Sequence, residues 1–87
     1  MAATAQTPVT LCGRLADWVG GSIAVDIPEN GCTVADFRRD LAAAFPALAA
    51  DLACTRVRFC VDERVVTDDA TVLPHHDIAI FPPVSGG

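Results

Sequence analysis

The residues with the most chemistry to offer stand at the end of the chain, Asp77-Ile78-Ala79-Ile80-Phe81-Pro82-Pro83-Val84-Ser85-Gly86-Gly87. Ile78 and Ile80, with Phe81 beside them, form a short β-branched and apolar run that predicts a buried strand. Pro82 and Pro83 stop that strand, because neither donates a ladder hydrogen bond and each fixes φ near the polyproline value. The segment after them is expected to leave the sheet on a stiff base. Gly86 and Gly87 carry no side chains, so their backbone can pass a narrow slot and adopt angles closed to other residues. With no residue after Gly87, its carboxylate is expected to be free. A carboxylate is a poor acyl electrophile, being negatively charged with a poor leaving group, so chemistry here requires activation. The competing reading is a frayed terminus, which most chain ends are.

The other chemically capable residues offer less. Cys12, Cys32, Cys54 and Cys60 include no C-x₂-C pair of the zinc or redox type. The C-x₄-C-x₂-C cluster of a plant-type iron–sulfur domain is also missing. Four free thiols in a reducing cytoplasm are expected, since Met1–Thr7 has neither the basic start nor the apolar run of a signal peptide. His75 and His76 are adjacent. Sequence neighbours rarely point at one site and no third ligand is near, so they read as turn residues and no metal site is expected. Ser22 and Ser85 lack a nucleophile elbow. No nucleophile–base pair stands out, and the chain is not expected to be catalytic alone.

These residues must be positioned by a small body. A chain of 87 residues suits one domain with one core. The hydrophobic fraction is 52%, but fifteen of those residues are alanine, so the core must come mainly from Val, Ile, Leu and Phe. The formal net charge of −5 disfavours nucleic acid and anionic membrane surfaces, which need clustered cations. No stretch is long enough to span a membrane. All six basic residues are Arg, so an activated C-terminal acyl group meets no lysine amine on its own chain.

In chain order, residues 1–8 read as a loose leader, 9–82 as the domain and 83–87 as the tail. Val9-Thr10-Leu11-Cys12 alternates as a first strand, and Leu15 to Val19 has the spacing of one helical turn. Trp18 in that turn is expected to cap one end of the core. Gly20-Gly21 turns the chain into Ser22–Ile27, whose Ile23, Val25 and Ile27 share a face, and Pro28 ends it. Thr33 and Asp36 make a weak capping-box variant before a helix. Its stripe is Val34, Phe37, Leu41, Ala44 and Phe45, with Arg38, Arg39 and Asp40 on the other side. Pro46 breaks it or opens a second short turn through Leu52. Arg56–Asp62 alternates with Val57, Phe59 and Val61 inward. Asp62-Glu63 turns into Val65-Val66, and a polar crossing anchored by Val72 and Leu73 leads to the last strand. The order is strand, strand, helix, strand, short strand, strand, an α+β pattern with one main helix over one mixed sheet.

The closing Asp77–Gly87 segment, and less specifically the chain from Val9 onward, resembles the ubiquitin-like sulfur carriers, most closely the family of molybdopterin synthase small subunits. The resemblance implies a ubiquitin-like β-grasp fold of about five strands, with the last strand lying centrally beside the first and a protruding Gly-Gly tail. It implies that an ATP-using (with Mg) adenylating and sulfurtransferase enzyme charges Gly87, first as an acyl-adenylate and then as a thiocarboxylate. The large subunit of molybdopterin synthase would receive the tail and use its sulfur on cyclic pyranopterin monophosphate. Phe81, Pro82, Pro83, Val84, Ser85 and Gly86 would be tail and interface contacts, with no cofactor bound to the chain itself. Ser85 stands where that family often has Thr or Ser, and Gly13 where it often has a larger residue. Sulfur delivery to thiamine or another thiolation pathway, a ubiquitin-like protein modifier, and a plain binding module remain open alternatives.

Overall fold

A computed structural model describes residues 3–54 and 56–82. Seven strands and three α-helices succeed one another among them: β1 Thr4–Leu11, α1 Ala16–Val19, β2 Ser22–Pro28, β3 Cys32–Thr33, α2 Val34–Ala44, α3 Ala49–Ala53, β4 Arg58–Val61, β5 Arg64–Val66, β6 Thr71–Val72 and β7 Ile78–Phe81. Short 3-10 turns, Gly13–Leu15 and Pro46–Leu48, lead into α1 and α3. Five strands form one sheet in the order β2-β1-β7-β4-β5, and β3 pairs with β6 separately. β1 and β7 are parallel, while β1–β2, β4–β7 and β4–β5 are antiparallel. This is the mixed α+β sheet of a β-grasp domain.

The alternation read in the strands holds. Ile23, Val25 and Ile27 of β2, Phe59 and Val61 of β4, and Ile78 and Ile80 of β7 face one core with Val34, Phe37 and Leu41 of α2. The rings of Phe37 and Phe59 meet edge to face at 6.0 Å, a geometry the ring quadrupoles favour. α2 begins as its sequence indicates: the Thr33 hydroxyl accepts from the Asp36 amide at 3.1 Å, satisfying one of the orphan donors of the first turn. Asp36 and Arg39 pair at 2.6 Å on its exposed side. Among the described residues no helix is long and apolar enough to cross a membrane.

Five expectations are corrected. The leader over residues 1–8 is largely strand: Thr4 to Pro8 pair with Pro28 back to Ala24, and the Thr7 hydroxyl, buried, donates to the Pro74 carbonyl at 2.9 Å. Small polar residues hide this strand from a hydrophobicity pattern, and Pro8 is tolerated because that stretch pairs with β2 alone. Trp18 is 59% exposed. The 3-10 turn and the one-turn helix after it point Leu15 and Val19 at the core and leave the indole outside. Phe81 is 40% exposed, because strict alternation after the buried Ile78 and Ile80 sends it to the outer face. Arg38 is not a solvated helix residue. Its guanidinium donates to the carbonyls of Leu52, Cys54 and Val57 and to Asp68, and lies 4.7 Å from the Phe59 ring centroid. Of the apolar stripe, Phe45 is only half-buried and Ala44 is exposed, since α2 ends at Ala44.

The Asp62-Glu63 turn is tight. Both residues have positive φ, 51° and 68°, the backbone of a two-residue hairpin whose twist matches its strands. Asp62 also holds the start of β7. Its amide donates to the Asp77 carbonyl at 2.8 Å and its carboxylate accepts from the Asp77 amide at 2.9 Å.

Candidate functional site

The candidate site is the point where β7 leaves the sheet. β7 is flanked on one side by β1, with Leu11 opposite Ile80, and on the other by β4, with Arg58 opposite Phe81. Its β1 ladder continues past the strand end, where the Cys12 amide donates to the Ile80 carbonyl at 3.0 Å. Pro82 then rests against Gly13. A Cβ on Gly13 would sit 3.0 Å from Pro82 Cγ, and Gly13 has φ +57°, a conformation side chains disfavour. Gly13 therefore serves as a close-fitting wall for the exit proline. The sequence alone marks this glycine only as smaller than usual in its place; its contact with Pro82, far along the chain, is a tertiary fact.

Of the residues expected to act, Phe81 and Pro82 are brought together at this exit, with Phe81 exposed and Pro82 half-buried. Pro83, Val84, Ser85, Gly86 and Gly87 lie outside the described residues. Phe81 borders a shallow depression of about 310 Å³ on the outer sheet face, shared with Cys60, Glu63, Asp77 and Ala79. In the sheet Cys60 stands opposite both Ala79 and Val65, and Val65 is 64% exposed. Apolar and small side chains thus continue outward from the exit.

Cys60, the thiol lining this depression, is held back from its reactive form. Burial pushes the Cys60 thiol up, and the neighbouring Cys12 adds to the shift. Burial also raises Cys32, with further contributions from Asp40 and Asp36. A raised thiol pKa means less thiolate, the reactive form. The histidines serve their turn: His76 Nδ1 accepts from the Leu73 amide at 3.0 Å, and its Nε2 lies 3.9 Å from an Asp62 oxygen. Among the described residues no group of three His, Cys, Asp or Glu side chains could hold a metal ion. The arrangement can present a chain end; it assembles no acid–base or nucleophilic apparatus among the described residues.

Comparison with known proteins bears on the same region. A family model described as the ThiS family matches residues 9–87. No curated protein sequence matches the chain. Among solved structures, SAMP1 from Haloferax volcanii is similar with TM-score 0.75 and 23% identity, over 95% of this chain and 100% of that one. A protein assigned as molybdopterin converting factor subunit 1 from Pyrococcus furiosus gives TM-score 0.74 and 19% identity, over 91% of this chain and 98% of that one. The Caldiarchaeum subterraneum ubiquitin gives TM-score 0.61 and 18% identity, over 98% and 100%. At these identities the structural likeness establishes the β-grasp fold.

Proposed function

Because the chain belongs to the ThiS family of ubiquitin-like sulfur carriers, we propose that it is the sulfur-carrying subunit of a molybdopterin synthase. In this reading a Gly87 carboxylate oxygen attacks the α-phosphorus of ATP on an adenylating enzyme, and pyrophosphate leaves. A sulfur nucleophile then attacks the activated acyl carbon, AMP leaves, and a thiocarboxylate remains at Gly87. The large synthase subunit takes the tail, and the sulfur passes to cyclic pyranopterin monophosphate. Gly86 is the slim link through the slot, and Phe81, Pro82, Pro83, Val84 and Ser85 are the contacts that guide it. The acidic chain leaves phosphate binding to its partner.

The observation that carries the reading is the last strand: it is held on both sides at the centre of the sheet, and in the sequence Phe81-Pro82 is followed at once by Pro83-Val84-Ser85-Gly86-Gly87. A reactive group delivered into another protein's cavity gains most from a base that does not move. The Phe81-Pro82-Pro83 approach to Gly86-Gly87 favours this branch over thiazole synthesis.

The test is intact mass spectrometry of the chain with a purified adenylating enzyme, Mg-ATP and a sulfur source. The expected result is a mass gain equal to one oxygen exchanged for sulfur, lost when Gly87 is deleted, and conversion of the pterin precursor once the large subunit is added. No mass change under competent conditions overturns the reading. A second reading, a protein modifier joined through Gly87 to lysine amines, draws on the likeness to SAMP1. Covalent adducts with other proteins in the same mixture would favour it.

A further inference from the structure

The turn after β1 builds a second feature beside the exit, which the carrier reading does not use. Arg14, Asp17, Trp18 and Asp51 line an open cleft of about 480 Å³. Its most conspicuous wall is the chain's single tryptophan, 59% exposed although the core beneath is closed by Leu15. Arg14 and Asp51 pair at 3.0 Å and neutralise each other. Asp17 has no ion-pair partner among the described residues. The cleft therefore offers one bare indole and one unmatched carboxylate.

Its position is fixed by topology. β1 and β7 are parallel and end on the same edge of the sheet. Gly13, against which Pro82 rests, is the residue before Arg14. An enzyme that engulfs the chain beyond Pro82 must approach this edge, and the cleft lies at its rim.

We propose that this cleft is an auxiliary docking point for the adenylating enzyme that activates the tail, filled by an arginine of that enzyme stacked on Trp18 with its guanidinium edge toward Asp17. This rests on the carrier reading above. Arginine is the occupant that matches both walls: its planar cation stacks on indole, the best of the aromatic faces for this contact, while its N–H fork meets a carboxylate. Tryptophan is enriched among the residues that anchor protein interfaces once desolvated. The formal charge of −5 draws a cationic surface toward the chain.

The experiment is ATP–pyrophosphate exchange by the purified adenylating enzyme, with the full chain as varied substrate. Trp18→Ala is expected to raise the KM for the chain by roughly tenfold, the loss typical of an interface anchor, with little change in kcat because the tail chemistry is untouched. Trp18→Phe should recover part of that loss. Asp17→Asn should raise KM by about threefold at low salt, and the difference should vanish near 1 M NaCl as screening removes the charge contact. Glu29→Gln, next to Pro28 and therefore at the Thr4 end of the sheet, should leave KM unchanged. An unchanged KM for Trp18→Ala, with wild-type exchange intact, overturns the docking point and leaves the carrier reading standing. A wild-type chain that supports no exchange at all removes both.

Discussion

Two successive helices treat their side chains in opposite ways. α1 leaves a tryptophan outside, and α2 draws an arginine inward. The contrast shows that burial depends on what the surroundings offer more than on the residue's hydropathy. α1 is four residues long, and its inward side is taken by Ala16 and Val19, with Leu15 of the preceding 3-10 turn buried beside them. Trp18 has nowhere to go. α2 runs for eleven residues, and the carbonyls of Leu52, Cys54 and Val57 face it. Those carbonyls need donors, and Arg38 supplies them while its guanidinium rests on Phe59. Among the described residues its Nε alone is a buried side-chain polar atom without a partner.

Substitutions can break or sharpen that contrast. The largest effect is expected at the centre of the α2 face: Phe37→Ala should cost about 3–5 kcal/mol, from lost transfer energy and the cavity left behind. A fall in the urea midpoint with unchanged m-value would measure it. Arg38→Ala should come next at about 2–4 kcal/mol, because several carbonyls lose a charged donor at once. Asp68→Ala, removing only the exposed partner of Arg38, should cost under about 1 kcal/mol. If the two Arg38-pair variants proved equal, the carbonyl contacts would not be the stabilising part. Thr33→Ala removes the cap of α2 and should cost about 1 kcal/mol. Trp18→Ala should shift stability least, within about 0.5 kcal/mol, since the indole is outside; a large loss would place it in the core after all. Separately, alkylation of Cys32 and Cys60 by iodoacetamide should rise with pH later than that of a model thiol. Their raised pKa values delay the thiolate, and any stabilisation from keeping these thiols neutral is lost as pH climbs through those raised values.

What could be read in the chain without coordinates was what is local. The cap at Thr33, the stripe Val34-Phe37-Leu41 and the alternation of β2 and β4 depend on residues within a turn or two of one another. The inward Ile78 and Ile80 were legible for the same reason. Thr4 to Pro8 escaped because their strand is specified by its partner β2 and by the carbonyl of Pro74, and not by their own apolarity. Arg38 escaped because its carbonyl acceptors lie fourteen to nineteen positions away. At the candidate site Phe81 and Pro82 were legible as an ending, but the fit of Pro82 against Gly13 required the parallel pairing of β1 and β7 to bring distant residues together.

That pairing has a mechanical corollary. A pull on the chain past Pro82 acts along the axis of a strand bonded to neighbours on both flanks. Such a load must shear two ladders at once, whereas a strand at the margin of the sheet can be peeled one bond at a time. Among the described strands, β7 is thus placed to resist a pull directed along its own axis, because β1 and β4 hold it from either side.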